Sequence, residues 1–198
     1  MNKQDKLTSK DLITIAIFSV IFALLVGVTS FIGLIPSVYP FVVGIQMIPG
    51  GIVWMYLRAK VPKKGSIIIQ SIVIVLVLLL FGSFWPSLLG VIVGGVIAEI
   101  ITLSRGYRSF AADTIGYAVY TVCLTICANL PPLIAYDYYY TYAVQSGGMD
   151  PAYMEQMMAF LTGPVFAISL AVGAAGGIAG AFLGRKVMKK HFERAGIV

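Results

Sequence analysis

The sequence predicts an all-α membrane protein with six transmembrane helices. Hydrophobic residues make up 59% of the 198 residues and charged residues only 11%, whereas an ordinary globular domain has about 25% charged residues. Apolar runs close to the length needed to cross a bilayer, about 20 residues, recur along the chain. Together with the presence of only two cysteines, this composition excludes a soluble enzyme, a disordered chain and a disulfide-stapled secreted domain.

The first predicted span covers residues 12–35 and follows a basic segment that carries Lys3, Lys6 and Lys10. A secretory signal peptide also starts with basic residues, but its apolar region is about 7–15 residues long and ends at a small-residue cleavage site. The run 12–35 is longer and has no such site. We therefore expect a helix that is retained in the mature protein.

The second span covers residues 38–57 and contains the sequence Pro49-Gly50-Gly51. Proline and glycine interrupt helices, although membrane spans tolerate them when neighbouring groups satisfy the freed backbone. We therefore expect a kinked or broken second helix. The third span, 66–81, has almost no polar atoms, and we expect it to face lipid.

Three further apolar runs complete the set of spans, and they cover residues 87–103, 111–130 and 162–184. The fifth run is expected to stop or kink at Pro131-Pro132, because proline removes a helix hydrogen bond. The segment 131–161 is the longest part without a span, and we predict that it forms an outer loop with a short lid-like helix. The whole chain, 1–198, is predicted to be one transmembrane domain.

The positions of the basic residues predict the orientation. Cytoplasmic loops of membrane proteins carry an excess of Lys and Arg. With six spans and a cytoplasmic N-terminus, all 14 Lys and Arg fall on the inner side, whereas Asp137, Asp150 and Glu155 fall on the outer side. We therefore expect a multi-pass protein with both termini in the cytoplasm. The net charge of +6 then reflects topology in a lipid bilayer and implies no nucleic-acid partner.

No group of side chains in the sequence is suited to catalysis or to metal binding. His191, the only histidine, lies in a basic tail and has no partners for a metal site or a catalytic triad. Cys123 and Cys127 are four residues apart, so they share one face of the fifth span, and we interpret them as small apolar packing residues. We expect no enzymatic activity, no cofactor and no metal.

Glu99 is the one acidic residue within a span, near the inner end of the fourth. A carboxylate within the membrane is a candidate for function. Arg105 and Arg108 follow closely in the sequence, which favours a structural ion pair with one of them. Proton or ion coupling remains the alternative.

Small residues spaced four apart predict helix faces that approach each other closely. The fourth and sixth spans carry three such rows, namely Gly90/Gly94/Ala98, Gly173/Gly177/Ala181 and Gly176/Gly180/Gly184. We expect these rows to pack inside the protein. The first span has Ser19, Ala23 and Gly27 at the same spacing, and this row is the one that we interpret as a surface for a partner.

The outer face has the densest aromatic chemistry, with five of the 11 tyrosines in residues 136–142. Beyond the flexible pair Gly147-Gly148, Asp150-Pro151 is a good helix start, and methionines then recur at helical spacing. Such a helix is a candidate lid over a binding site; an interfacial aromatic belt with an amphipathic helix on the membrane is the alternative. The candidate ligand-binding residues are Tyr39, Phe84, Trp85, Asn129, Tyr136, Asp137, Tyr139, Tyr140, Met154 and Met158.

The outer face has no Lys or Arg to hold a phosphate or a carboxylate. A flat ligand that is partly apolar or cationic fits better, stacked on aromatic rings and oriented by Asp137 and Asn129. Anions are disfavoured but not excluded, because helix N-termini also accept them.

Several stretches of the chain resemble the Trep_Strep family of small integral membrane proteins, which are regarded as candidate substrate-binding (S) components of energy-coupling factor (ECF) transporters. The resemblance rests on Leu7-Thr8-Ser9-Lys10-Asp11-Leu12-Ile13-Thr14-Ile15, on the turn Gly82-Ser83-Phe84-Trp85, on the loop 106–110 leading into 116–119, and on the ending 180–197. It spans nearly the whole chain, and the ending is its most specific part.

The resemblance implies a six-helix S component in the bacterial cytoplasmic membrane that captures a micronutrient outside, such as a vitamin-like compound or a metal chelate. It also implies three partner chains, a transmembrane coupling subunit (the T component) and two ATPase subunits. In S components, small residues on the first helix contact the coupling subunit, and here they match Ala16, Ser19, Ala23 and Gly27, although the usual alanine triplet is absent. The sequence has no nucleotide-binding Gly-x-x-x-x-Gly-Lys-Ser/Thr loop, which agrees with this reading.

The alternative function is a self-sufficient small permease, channel or exporter that assembles as a homo-oligomer through the glycine rows. A polar lining along several spans would favour it, but only scattered residues such as Thr29, Gln46, Gln70 and Thr125 are available. The resemblance does not settle the substrate.

Overall fold

A computed structural model describes residues 6–192 of the chain. Every regular element in this part is helical, and the α-helices are α1 (Ser9–Thr29), α2 (Val42–Lys60), α3 (Ser66–Leu80), α4 (Trp85–Leu103), α5 (Phe110–Ile134), α6 (Tyr136–Tyr140), α7 (Pro151–Phe160) and α8 (Gly163–Val187). Two 3-10 turns, Ser30–Leu34 and Tyr39–Phe41, connect α1 to α2, and π-helical turns cover Thr141–Ser146 and Met188–Phe192. Lys3, Arg194 and the side chain of His191 lie outside the described part.

Each predicted span corresponds to a helix, but the helices differ in length. Five helical segments are long and apolar enough to cross a membrane, namely Ser9–Leu34, Tyr39–Lys60, Trp85–Leu103, Phe110–Ile134 and Gly163–Lys190. The third helix, α3, has 15 residues, fewer than the about 20 that a perpendicular span requires. The structure therefore supports five spans by length, and the count of six stays a prediction.

The long helices form a closed ring. In the order α1, α2, α8, α5, α4, α3, each helix packs against the next, and α3 packs against α1 again. An ion pair of 2.6 Å between Lys63 and Asp11 joins the α2–α3 connection to the start of α1. The ring of helices therefore has two ends. The helices α1, α3 and α5 start at one end and α2, α4 and α8 finish there, and we call it the basic end. We call the opposite end the aromatic end.

The predicted internal packing of the glycine rows is confirmed. The row Gly176/Gly180/Gly184 faces α2, where a Cβ on Gly176 would overlap the backbone of Gly44. The rows Gly173/Gly177/Ala181 and Gly90/Gly94/Ala98 both face α5. Such contacts bring helix backbones close together where no hydrophobic force drives association. Because the ring itself occupies these rows, they are not available to join two copies of the chain.

The packing interpretation of the two cysteines is also confirmed. Both are free thiols, and their Cβ atoms face the glycine row of α4. A Cβ on Gly90 would lie 2.9 Å from that of Cys127, and a Cβ on Gly94 would lie 3.2 Å from that of Cys123. They therefore serve the contact between α4 and α5.

Of the predicted kink or break in the second helix, the break is wrong, because α2 runs without interruption through Pro49. The two glycines after the proline instead allow close contacts. A Cβ on Gly50 would lie 2.8 Å from the hydroxyl of Tyr117, and one on Gly51 would overlap the backbone of Gly180. Similarly, α5 continues through its proline pair and ends at Ile134, four residues beyond the predicted end.

The expectation that α3 faces lipid holds for one face only. Leu76, Leu79 and Leu80 are exposed, whereas Ile67 and Ile74 are buried. The reason is that α3 closes the ring between α4 and α1, so that half of its surface is covered by protein.

The predicted ion pair of Glu99 with Arg105 or Arg108 is wrong. The carboxylate is buried, with 4% of the residue exposed, and it accepts hydrogen bonds from the backbone N–H groups of Gly65 at 2.6 Å and Ile67 at 3.0 Å. Glu99 therefore binds the start of α3. The first N–H groups of a helix have no partner within the helix and carry partial positive charge, which favours a carboxylate there.

Candidate functional site

A cavity of about 320 Å³ lies inside the ring towards its aromatic end. The helices α1, α2, α3, α4 and α5 all contribute to its wall, together with the turns that connect them. Three of the residues that the sequence predicts for ligand binding line it, namely Tyr39, Phe84 and Asn129. We call it the aromatic-end cavity.

The wall of the aromatic-end cavity is mainly apolar, and none of its lining side chains is charged. Its polar groups include Gln46 of α2 and Tyr120 of α5. The Oε1 atom of Gln46 and the hydroxyl oxygen of Tyr120 are buried and have no hydrogen-bond partner among the described residues. Buried polar atoms almost always have partners, and these two are free to bond to a molecule in the cavity.

Asn129 is held in a fixed orientation beside this cavity. It is 1% exposed, and its Nδ2 donates to the carbonyl oxygen of Pro40 at 2.8 Å and to the hydroxyl of Ser169 at 3.1 Å. These bonds connect α5 to the turn before α2 and to α8. The amide is therefore both a structural link and a polar group on the wall of the cavity.

Aromatic rings from three helices pack below the cavity. Phe22 and Tyr120 line it, with ring centroids 6.5 Å apart. Behind Tyr120 lies Trp54, at 5.1 Å, and Trp54 in turn packs against Tyr117 at 4.8 Å. This cluster was not predicted from the sequence, although a tryptophan inside a predicted span, away from the interface where tryptophan is usually enriched, was a signal for it.

Residues 136–160, which we call the cap, lie across the aromatic end. Their buried centre consists of Tyr139, Ala143, Met154 and Met157. Tyr39 and Phe84 pack against this centre and also line the cavity, so the cap lies next to the cavity. The predicted apolar face of α7 is thus present, and it packs towards the ring.

Hydrogen bonds of tyrosine hydroxyl groups and one tryptophan N–H hold the cap on the ring of helices. The hydrogen-bonded pairs are Tyr39–Tyr139 at 3.0 Å, Trp85–Tyr138 at 2.8 Å, Tyr142 to the carbonyl of Gly82 at 2.6 Å, and Tyr153 to the carbonyl of Gly33. Burial raises the pKa of Tyr139, and it raises the pKa of Tyr153 to about 12. Both phenols are therefore protonated near neutral pH.

The structure sorts the other predicted binding residues into two groups. Tyr139, Tyr140, Met154 and Met158 belong to the cap and not to the cavity wall. Trp85, Tyr136 and Asp137 are exposed on the outside, where a carboxylate keeps its hydration. Asp137 does not line this cavity, and its predicted role in orienting a ligand stays a prediction. The sequence prediction did not include Gln46 and Tyr120, whose unpartnered polar atoms lie in the cavity wall.

The small-residue row of α1 does not form one exposed face. Ala16 and Gly27 are exposed, whereas Ser19 and Ala23 are buried. The hydroxyl of Ser19 donates to the carbonyl of Ile15 within the helix at 2.6 Å, and Ala23 lines the aromatic-end cavity. Ser19 and Ala23 are thus not accessible to a partner in this structure, because α1 turns them towards α2 and α3.

A family model described as a hypothetical bacterial integral membrane protein (Trep_Strep) matches residues 9–194, nearly the whole chain. No curated protein and no solved structure matches the sequence.

Proposed function

The chain belongs to the Trep_Strep family of bacterial integral membrane proteins, and from this we propose that it is the substrate-binding S component of an ECF-type importer, with the aromatic-end cavity as its substrate site. The observation that carries the proposal is a mainly apolar cavity whose wall has two buried polar atoms without a hydrogen-bond partner among residues 6–192. The cap packs on two of the lining residues, Tyr39 and Phe84, and this arrangement suits capture of a small molecule.

The substrate is an uncharged, largely apolar or aromatic micronutrient. No lining side chain is charged, and an ion without a counter-charge is costly to bury. Cationic ligands and charged metal chelates are therefore not part of the proposal. The volume of about 320 Å³ is at the small end of the range for ligand sites, about 300–1,000 Å³.

Two hydrogen bonds orient the substrate. The Oε1 atom of Gln46 accepts from an N–H or O–H group of the substrate, and the hydroxyl of Tyr120 donates or accepts. Apolar contacts with Phe22, Val91 and Leu124 supply most of the binding free energy. A site with a buried acceptor for an N–H or O–H group of the substrate rejects an analogue that lacks this group, because the buried acceptor is then left without a partner.

The cap controls access to the cavity. For a substrate to enter from the aromatic end, residues 136–160 must separate from Tyr39 and Phe84. The glycines at the joint between the two halves of the cap, Gly147 and Gly148, are exposed, and Gly148 has a positive φ of 72°. They give the chain the freedom to move there.

The proposed topology has six spans with both termini in the cytoplasm. In the ring of helices, α3 packs alongside α4 and runs from the basic to the aromatic end. In this proposal it crosses the membrane despite its length of 15 residues. Local thinning of the bilayer or the flanking residues make up the missing length. The basic end faces the cytoplasm, in accordance with the positive-inside rule. The cap then lies outside, where substrate arrives.

The proposed partners are the T component and two ATPase subunits. In this proposal the T component packs on the outer face of α1, where Ala16, Val20 and Leu24 are exposed. Gly27, the last residue of the predicted row, is also exposed, but it lines the aromatic-end cavity. Tilting of the whole S component, driven by the ATPases, then carries the substrate across the membrane.

The first test is substrate retention by the purified full chain, measured by mass spectrometry of the small molecules that co-purify with it. We expect Gln46→Leu to lower the retained amount at least about tenfold, as the loss of one buried hydrogen bond predicts. Gln70→Leu is the matched control, because Gln70 is also buried but does not line the cavity. Equal retention by both variants would place the substrate elsewhere.

The second test separates an S component from a self-sufficient transporter. The chain is reconstituted alone in liposomes with the molecule found by mass spectrometry, and binding without concentrative uptake is the expected result. Concentrative uptake by the chain alone would contradict the proposal even if the cavity binds the molecule.

A further inference from the structure

A second cavity, of about 480 Å³, lies at the basic end, on the opposite side of the aromatic core from the first. The end of α2, the loop between α4 and α5, the first turn of α5 and the end of α8 enclose it. We call it the basic-end cavity. The proposed substrate site shares no lining residue with it.

Positive charge dominates the wall of the basic-end cavity. Its four cationic side chains are Arg58, Arg108, Arg185 and Lys189, and its only carboxylate is that of Asp113. Asp113 pairs with Arg58 at 3.0 Å. Within residues 6–192, the other three cations form no ion pair with a carboxylate, so the cavity has an excess of positive charge.

Arg58 is built into the wall and yet is not fully paired. It is 2% exposed, its Nε donates to Asp113, and its Nη1 donates to the carbonyl of Val61 and to the hydroxyl of Ser66. Its Nη2 has no hydrogen-bond partner among the described residues. A guanidinium group with an unused donor is suited to a phosphate oxygen, because its planar N–H groups match that geometry.

Two aromatic rings lie beside cations in the wall of the basic-end cavity. Tyr107 lies with its ring 5.4 Å from the guanidinium carbon of Arg58, and its hydroxyl donates to Glu99 at 2.6 Å. Arg185 lies over the ring of Phe110 at 4.2 Å. Two cations are thus held in place by aromatic rings, next to apolar surface from Met55 and Met188 at the ends of membrane-spanning helices.

We propose that the basic-end cavity binds a phosphate group, either the headgroup of an anionic phospholipid or a soluble phosphate. Excess positive charge, a buried arginine with an unused donor and aromatic rings that hold two of the cations all suit this chemistry. Basic pockets between helix ends are also where anionic headgroups bind membrane proteins. The proposal does not depend on the function proposed for the aromatic-end cavity.

The test compares two double variants of the full chain. Arg108→Gln with Arg185→Gln removes two cations that line the cavity. Arg105→Gln with Lys186→Gln is the matched control, because it removes two exposed cations from the same segments that do not line it. Native mass spectrometry measures binding of dioleoylphosphatidylglycerol, with dioleoylphosphatidylcholine as the uncharged comparison, and thermal shift measures binding of inorganic phosphate.

For a lipid occupant, we expect the cavity variant to bind phosphatidylglycerol at least about tenfold more weakly than wild type and the control variant to bind within about threefold. If inorganic phosphate stabilises the wild type and the control but not the cavity variant, while phosphatidylglycerol does not distinguish them, the occupant is a soluble phosphate. Equal effects of the two variants on both ligands would overturn the proposal. If the double variant does not fold, Lys189→Gln, a single change at an exposed side chain, replaces it.

Discussion

Gly51 of α2 and Gly180 of α8 face each other with no room for a methyl group between their backbones, since a Cβ on Gly51 would overlap the carbonyl carbon of Gly180. We therefore expect Gly51→Ala to force the two helices apart. Overpacking of this kind costs about 1–3 kcal/mol, and because the neighbouring atoms belong to the backbone, they cannot move aside. Thermal unfolding in detergent measures the effect.

Gly27→Ala is the control for this change, because a Cβ at Gly27 would meet no atom within 4 Å. Replacing a helical glycine by alanine at an open position stabilises a helix slightly. An equal loss of stability in the two variants would indicate that the substitution, and not the contact, is responsible.

Glu99 holds the start of α3 and the loop after α4 together. One carboxylate accepts hydrogen bonds from Gly65 and Ile67 on one side and from the hydroxyl of Tyr107 on the other. Glu99→Gln keeps the shape of the side chain. It removes the negative charge and replaces one of the two acceptor oxygens by an NH2 group, which is a donor. We expect a loss of about 1–3 kcal/mol in stability, measured by thermal or denaturant unfolding.

For this prediction Glu155→Gln is the matched control, because Glu155 is exposed on α7 and its substitution is expected to have little effect. Unchanged stability of Glu99→Gln, together with a change in the pH dependence of transport, would instead support proton coupling by Glu99.

Much of the fold could be predicted from the sequence because hydropathy depends on local composition. The apolar run at 162–184 became α8 with ends shifted by at most three residues, and the run at 12–35 became α1 together with the 3-10 turn that follows it, Ser9–Leu34. The glycine rows also predicted correctly which helix faces pack. The error at Pro49-Gly50-Gly51 arose because the same residues that interrupt isolated helices also permit close helix contact, and the sequence does not show which neighbour is present.

The candidate site was harder to predict, because it depends on the order of helices in the ring. Gln46 and Tyr120 are 74 residues apart and meet at one cavity only because α2 and α5 approach each other across the ring. The tyrosines of residues 136–142 were recognised as a cluster, but the sequence does not show that the hydroxyls of Tyr139 and Tyr142 bond to the connecting turns at Tyr39 and Gly82. The row Ser19/Ala23 was assigned to a partner because spacing alone does not tell which side of a helix faces the ring.

Arg58 and Asp113 form a buried ion pair at 3.0 Å, with 2% and 11% of their side chains exposed. Asp113→Asn leaves the guanidinium charge buried without its counter-charge. We expect this to cost about 3–5 kcal/mol, much more than the pair itself contributes, and unfolding of the purified chain measures it. Asp137→Asn, at an exposed carboxylate, is the control. A double variant in which Arg58 is also changed to Met should recover part of the loss, and the absence of any recovery would show that the two residues act separately.

Tyr153 gives the attachment of the cap a pH dependence. Burial raises its pKa to about 12, from an ordinary value of about 10, so the folded protein holds the phenolic proton more tightly than the unfolded chain does. The stability that the hydroxyl contributes through its bond to Gly33 is therefore complete below about pH 10 and is lost as the pH rises through about 12. We expect Tyr153→Phe to lower the melting temperature at pH 8, and we expect the difference from wild type to shrink towards zero between about pH 10 and pH 12.

Tyr136→Phe, at an exposed position, should match the wild type throughout, because its ring lies outside the buried centre of the cap. A difference between wild type and Tyr153→Phe that stays constant over this range would mean that the phenolic proton has no part in holding the cap.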